Sequence, residues 1–409
     1  MSQPTLKVIN PFDHSVVCEL DYDSDEHVDA ALAAAQLAFR TWSRAPLDER
    51  LAHVSQALDR VQDRREEIAR EVTLQMGKPL DQARAEVDTL IDRGRQSLAE
   101  APLALADDVL PEKKGFCRRI VHAPLGVVFN IAAWNYPLVI PINVIIPALL
   151  AGNAVVLKHS RRTPLTGRSL AAAFDHPDLP GLISNVVVSH ERTARLIGDV
   201  RVAHVCFTGS VEGGRTVYQQ AARRLIDVGL ELGGKDPAYV AEDADLDFAV
   251  ENIVDGACYN AGQSCCAIER VYVHRTLYEP FIERAAELMM RYRMGDPLDE
   301  ATTLGPLADH RAPEQLQRQV DDALQRGARL VLDGPSLPNS GNFFAPTLIA
   351  DAPQAALVMR EESFGPLLPV AAVAGDDEAL QRMNDSTLGL TASVWTRDAD
   401  RAERLAGNI

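Results

Sequence analysis

Two adjacent cysteines, Cys265 and Cys266, stand in the stretch YNAGQSCCAIERVYVH, Tyr259 to His274. Neighbouring cysteines reach ordinary disulfide geometry poorly, so the pair is not read as a crosslink. If a strand begins near Cys265, successive side chains point to opposite faces, and one sulfur faces a cleft while the other faces packing. Free cysteine is among the most buried residue types, so packing alone accounts for either one. The Asn, Gly and Gln ahead of the pair favour chemistry, because a thiolate nucleophile needs access and close backbone approach. Glu231, in VGLELGGKDP, has two readings. It is an outward-facing glutamate on an edge strand, or a general base in a partly apolar site with its pKa raised by desolvation. The two glycines after it let another segment or a ligand come close. Asn135, in AAWNYP, suits a turn before a helix, or an amide donor aimed at a developing oxyanion. CFTGSVEGG places Thr208, Gly209 and Ser210 where a strand gives way to a helix, a position where pyrophosphate binds. The G-x-G-x-x-G dinucleotide fingerprint is absent.

The elements around these residues must position them. Residues 25 to 105 are rich in Ala, Leu, Arg and Glu at helical spacing, and DEHVDAALAAAQLAFRTWS opens with acids that suit a helix N-terminus. The run from Pro46 to Pro79 begins with proline and closes on Gly-Lys-Pro. From Ala123 to Leu157 there is no charged residue. A membrane span is the sharp reading, and Pro124, Pro137, Pro141, Pro147 and the asparagines argue against it. The better reading is a buried βαβ unit: LGVVFNIA, then YPLVIPINVIIPALLAG, then NAVVLKHS. Further alternation follows: the helix PLTGRSLAAAFDH, the strands ISNVVVSH and VAHVCFTGS, the helix GGRTVYQQAARRL and the strand-like run DVGLELGGKDPAYVA. A second alternating region carries the helix LYEPFIERAAELMMRYR and the strands ARLVLDG and FFAPTLIA. With no repeat and no flexible linker, two closely packed α/β domains are expected.

Composition narrows the function classes. The 409 residues suffice for two or three domains. A net charge of -17 argues against a nucleic-acid partner but not against an anionic cofactor, which helix N-termini and one lysine can hold. None of the six cysteines sits in a C-x-x-C pair, and no ligand spacing suggests a metal. The N-terminus has no apolar signal region, and a cytoplasmic protein with no membrane partner is expected.

Taken in order, WNYP, LKHS, FTGS, LELGGKDP, NAGQSC and EESFGP resemble the aldehyde dehydrogenase superfamily, from INP near the N-terminus to Ile409. The LKH and LELGGKDP segments look most like bacterial succinate-semialdehyde dehydrogenases. The resemblance implies a Rossmann-like dinucleotide-binding domain (residues 1–112 and 125–233), a small β oligomerisation element (113–124) and a second α/β catalytic domain (234–409). It implies Cys265 as nucleophile with Cys266 packing or lying nearby, Glu231 as general base, and Asn135 with the Cys265 N–H as oxyanion donors. Lys158 would hold the adenosine ribose, with Ser160 and Arg161 beside it. Trp134 and Ser210 would lie along the pyrophosphate, Gly209 would admit the nicotinamide end, and Glu362 and Phe364 would hold the nicotinamide ribose. The implied reaction oxidises an aldehyde with NAD or NADP through a thiohemiacetal and a thioester, followed by hydrolysis. Alternatives are a CoA-acylating relative, against which Glu231 speaks, and a non-catalytic member of the fold.

Three departures from the family pattern stand out. Arg161 occupies the place of a glutamate that accepts a bond from the ribose 2′-hydroxyl; with Arg162 it would suit a 2′-phosphate, and a solvated surface is the other reading. Ala133 stands where proline commonly precedes the tryptophan. Family members continue past the position of Ile409 with a PFGG…SG-x-GRE segment and a final strand. The homodimer or homotetramer expected of the resemblance depends on that arm.

Overall fold

A computed structural model describes residues 5–409. The first four residues, which belong to the expected 1–112 segment and to the leader reading, lie outside the described residues. The chain divides into two units. The first comprises the described part of Met1–Val8, with Val16–Val72 and Ala83–Glu231; the second comprises Ile9–Ser15, Thr73–Gln82 and Leu232–Ile409. Residues 9–15 and 73–82, placed by the sequence reading in 1–112, thus group with the second unit.

In the first unit β1 (Thr5–Ile9) and β2 (Val16–Asp21) form a two-stranded sheet. Four helices follow: α1 (Asp25–Trp42), α2 (Leu47–Asp63), α3 (Arg65–Met76) and α4 (Leu80–Ala104). Ser24 starts α1 by accepting the His27 N–H at 3.1 Å, with Asp25 and Glu26 in the first turn where the helix dipole favours acids. Val28, Leu32, Ala35, Ala38 and Trp42 form its buried stripe, and Trp42 Nε1 donates to the Leu149 carbonyl at 2.9 Å. Pro46 is the residue ahead of α2, and the run that begins there divides at Arg64 into α2 and α3. It stops at Gly77, whose φ of +81° suits a residue without Cβ. A short antiparallel ribbon, β3 (Asp108–Val109) with β4 (Arg119–Ile120), covers part of the expected 113–124 element.

The uncharged run is a βαβ unit as expected: β5 (Val127–Ile131), α5 (Val139–Leu150) and β6 (Ala154–Lys158). Every residue of both strands is buried, and no helix among the described residues is long and apolar enough to cross a membrane. The unit continues with α6 (Pro164–Phe174), β7 (Ile183–Asn185), α7 (His190–Ile197), β8 (Val202–Thr208), α8 (Val211–Ala222) and β9 (Val228–Glu231). The run ISNVVVSH is a strand only to Asn185, and Ser189 caps α7 by accepting the Arg192 N–H at 3.2 Å. The sheet is parallel throughout, in the order β7-β6-β5-β8-β9. Chain order therefore reverses between β5 and β8, the switch point where open α/β sheets bind ligands at the carboxyl ends of strands.

The second unit holds β10 (Asp236–Val240), α9 (Leu246–Cys258), a single 3-10 turn (Tyr259–Gly262), β11 (Ile268–His274), α10 (Tyr278–Met289), α11 (Ala312–Gln325), β12 (Arg329–Asp333), β13 (Thr347–Ala350), α12 (Leu357–Arg360), β14 (Leu367–Val373), α13 (Asp376–Asn384), β15 (Ser393–Trp395) and α14 (Ala399–Ala406). Its six strands run β12-β13-β14-β11-β10-β15, parallel except for the antiparallel β12–β13 pair. The apolar faces of α9 and α10 join β10, β11 and β14 in one buried core. The run DVGLELGGKDPAYVA, strand-like along its length, is two strands in two sheets: β9 and β10 part at Gly233-Gly234.

Candidate functional site

In the first unit the candidate residues share one edge of the sheet because they follow the carboxyl ends of its strands. Trp134 and Asn135 follow β5, Lys158 ends β6, Gly209 and Ser210 follow β8, and Glu231 ends β9. The span from β6 to β9 is three strand spacings, about 14 Å. Asn135 is buried, and the Glu86 carboxylate caps the start of α5, accepting the Leu138 and Val139 N–H groups at 2.8 and 3.2 Å. Glu231 is exposed on an edge strand, so the burial from which desolvation was expected is not there.

Lys158 is 5 % exposed, and among the described residues its ammonium has no hydrogen-bond or ion-pair partner. Burial pushes it down to about 8, helped by the nearby charge of Arg161. Arg161 is exposed and meets no carboxylate at ion-pair distance among the described residues; its Nη2 lies 3.1 Å from His190 Nε2. Ser160 accepts the Arg162 N–H at 3.3 Å, and the Arg162 guanidinium lies 5.4 Å from the centre of the Trp134 ring. Ser210 is exposed and caps α8 by accepting the Gly213 N–H at 3.1 Å, which leaves other N-terminal amides of α8 for an anion. Gly209 has a local reason to be glycine: a Cβ there would lie 2.7 Å from the Phe207 ring.

In the second unit both cysteines sit in the turn before β11, which starts only at Ile268. Strand alternation thus does not separate them, contrary to expectation. Cys265 is half-buried and Cys266 is exposed. The approach to them is tightly wound: Asn260, Ala261 and Gly262 all have positive φ, at 53°, 54° and 70°. Two of these are not glycine, so surrounding bonds must hold the turn. Asn260 Nδ2 donates to the Gln263 carbonyl, and Gln263 Nε2 returns a bond to the Asn260 carbonyl, both at 3.1 Å. Gln82 Oε1 accepts the Asn260 N–H at 3.0 Å, and Gln263 Oε1 accepts the Ala308 N–H at 2.9 Å.

The glycines of LELGG and EESFGP bring three segments together. A Cβ on Gly233 would lie 2.5 Å from Glu362 Oε1, and one on Gly234 would lie 3.1 Å from the Cys265 carbonyl oxygen. A Cβ on Gly262 would lie 2.3 Å from the backbone of Gly365. Glu362, Phe364 and Cys265 are thereby held in one neighbourhood. Oε1 of Glu362 is buried without a hydrogen-bond partner among the described residues. Desolvation, with the charge of Glu269 behind it, pushes this carboxyl up to about 7. Phe364 has a φ of +55° and is held by its N–H, which donates to Glu269 Oε1 at 2.9 Å.

The two thiols are neighbours in the turn and their ionisations oppose each other. Cys266 is lowered by its neighbour and by the Ser264 hydroxyl, 3.3 Å from its Sγ, against the cost of burial. Cys265 is pushed up by Cys266 and by burial, with the charge of Glu362 adding to it. A first negative charge on the pair therefore opposes a second.

Sequence reasoning passed over Glu269 and Lys235, which fix the Glu362 loop, and His190 beside Arg161. The signal for the first was available: Glu269 and Arg270 interrupt an otherwise apolar strand, and both are buried. Nothing local marked His190.

In the first unit, a buried lysine with no anion beside it among the described residues and a helix N-terminus at a switch point fit the anionic part of a dinucleotide. The model of the aldehyde dehydrogenase family matches residues 1–409. This chain belongs to the aldehyde dehydrogenase family. It is 35 % identical over 402 residues to a succinate-semialdehyde dehydrogenase [NADP(+)] of Deinococcus radiodurans, covering 98 % of this chain and 84 % of that one. It is 37 % identical over 411 residues to a 3,6-anhydro-alpha-L-galactose dehydrogenase of Streptomyces coelicolor, covering 99 % of this chain and 83 % of that one. The structure of a succinic semialdehyde dehydrogenase from Streptococcus pyogenes in complex with NADP+ superposes with a TM-score of 0.93 at 30 % identity, over 99 % of this chain and 89 % of that one. As an aldehyde dehydrogenase, the protein is an oxidoreductase that takes aldehydes to acids with NAD or NADP.

Proposed function

We propose that the protein is a hydrolytic aldehyde dehydrogenase acting on a semialdehyde, with NADP favoured as cofactor. Cys265 is the nucleophile. Its thiolate forms a C–S bond to the aldehyde carbon, and the carbonyl electron pair moves onto oxygen. Asn135 and the Cys265 N–H donate to that oxyanion; one such donor is worth about 3 kcal/mol of barrier. The nicotinamide, when bound, supplies the hydride acceptor. Collapse of the oxyanion expels hydride from the carbon and leaves a thioester on Cys265. Glu231 takes a proton from water as its oxygen attacks the thioester carbon, and the C–S bond breaks to return the thiolate. The exposure of Glu231 supports this role, since a base for water needs water beside it.

Lys158, with Ser160 and Arg161, would hold the adenosine ribose. Trp134, Gly209 and Ser210 would lie along the pyrophosphate, and Glu362 and Phe364 would hold the nicotinamide ribose. In this reading residues 1–112 and 125–233 bind the dinucleotide, 234–409 carry catalysis, and 113–124 serve oligomerisation. The exposed apolar side chains of Val109, Phe116, Ile120 and Val121 support a homodimer or homotetramer contact there. A cytoplasmic setting agrees with the six free cysteines.

The observation that carries the cofactor preference is the pair Lys158 and Arg161, two cations at the end of β6 with no carboxylate partner among the described residues. The test is cofactor reduction with a panel of aldehydes, including semialdehydes, run with NAD and with NADP. Higher efficiency with NADP and a semialdehyde is expected. Equal or better efficiency with NAD, or no preference for a carboxylated aldehyde, overturns the corresponding part.

A further inference from the structure

We propose that His190 is a proton-linked clamp for the 2′-phosphate of NADP, so that preference for NADP over NAD rises as pH falls. The inference rests on the NADP reading above and adds a residue and a pH dependence to it. His190 opens α7 and is exposed, and its Nε2 lies 3.1 Å from Arg161 Nη2. A guanidinium has donors only, so Nε2 must accept, and the ring is neutral with its proton on Nδ1. The ring is thus a base held ready beside Arg161, with the charge of buried Lys158, which has no partner among the described residues, acting on it as well.

The surrounding charges explain why the ring is neutral. Desolvation, then Lys158, then Arg161 hold His190 below the usual histidine range, and no acid offsets them. On its own helix Glu191 is tied to Arg195 at 2.5 Å, and Arg192 to Asp25 of α1 at 2.7 Å. The helix packed on α7, α8, carries Glu212 and Arg215. Behind Arg161 lies a narrow crevice, closed to a water-sized molecule, that it lines with His159, Ser160 and Asn185, and Oδ1 of Asn185 is buried without a hydrogen-bond partner among the described residues.

A phosphate at the ring cancels the repulsion from Lys158 and Arg161 and offers Nε2 an acceptor. Arg161 turns from the ring to the phosphate, and a proton from solvent goes to Nε2. The sign follows from linkage. A ligand that raises the pKa of a group binds more tightly below the raised value, and loses that advantage as pH rises through it. NAD carries a hydroxyl at this place and takes up no proton. The phosphate's own second ionisation, near pH 6, works in the opposite direction, because binding as a dianion releases a proton.

Calorimetric binding of NADP+ and NAD+ without aldehyde, in buffers of different ionisation enthalpy from pH 5.5 to 8.5, separates these terms. The wild-type protein is expected to take up protons with NADP+ near neutral pH and none with NAD+. Its ratio of dissociation constants should favour NADP+ about tenfold more at pH 6.5 than at pH 8.5. His190→Gln should remove the NADP+-specific uptake and flatten the ratio, while His190→Lys should hold the preference high at every pH. An unchanged uptake and pH profile in His190→Gln overturns this inference and leaves the NADP reading standing. If wild type binds NADP+ no better than NAD+ at any pH, the cofactor reading itself fails.

Discussion

The Lys235 ammonium lies 2.8 Å from the Glu269 carboxylate, and both side chains are closed off from water. Glu269 also accepts the Ser363 N–H at 2.9 Å and the Phe364 N–H at 2.9 Å, while Lys235 donates to Ser363 Oγ at 2.9 Å. Ser363 Oγ passes the chain on to Gln319 Oε1 at 2.7 Å. A buried ion pair between the start of β10 and β11 therefore sets the conformation of the loop that presents Glu362.

Breaking that pair leaves one charge buried without compensation. Glu269→Gln or Lys235→Met should each cost roughly 3–5 kcal/mol of stability. Urea unfolding of the single and double variants checks this. The double variant should be less destabilised than the sum of the two, because neither charge is then left alone.

Glu362 gives a pH dependence of definite sign. Its carboxyl is raised from the usual 4.5 to about 7 in the folded protein. Between these values the native state binds more protons than the unfolded chain, so stability falls as pH rises through the window. The penalty is absent below it and fully present above pH 7. Glu362→Gln should raise stability by roughly 2–3 kcal/mol at pH 8 and little at pH 4.5, measured without cofactor. Equal gains at both pH values would show that the carboxylate is not the source.

The thiol pair makes a separate prediction. Alkylation followed by mass spectrometry across pH should show the two thiols ionising in two separate steps, because each charge opposes the other. In Cys266→Ala the Cys265 midpoint should fall, because the neighbouring thiolate that pushes it up is gone.

Turnover separates the nucleophile from the base. Cys265→Ala should abolish aldehyde oxidation. Glu231→Gln should give a burst of reduced cofactor near one equivalent per site, followed by little turnover, because the thioester forms but is not hydrolysed. Stopped-flow absorbance of the reduced nicotinamide reads both, and a normal steady-state rate in either variant refutes its role.

Arg161→Glu restores the carboxylate that the family commonly has at this place. It should reduce efficiency with NADP by about 10- to 100-fold relative to NAD, the worth of one or two charge-assisted hydrogen bonds. The ratio of kcat/KM values for the two cofactors is the measurement.

Much of the first unit could be read along the chain, because its signals are local. The uncharged run from Ala123 to Leu157 announced two strands and a helix through apolar continuity and length, and β5, α5 and β6 lie where it put them. The motifs at the strand ends marked Asn135, Lys158, Gly209 and Glu231 for the same reason. What local pattern could not show was the partition of LELGGKDP between two sheets, since a strand signal carries no information about which sheet receives it. It also misplaced the start of β11, because Asn260, Ala261 and Gly262 adopt positive φ only under bonds from Gln82, Gln263 and Ala308. The types of the reactive groups and their order were thus determined by the sequence alone. The exposure of Glu231, the coupling of Cys265 to Cys266, and the buried Glu269 that steadies Glu362 were decided by tertiary structure. Burial and charge at a side chain depend on residues far off in the chain, and only folding brings those together.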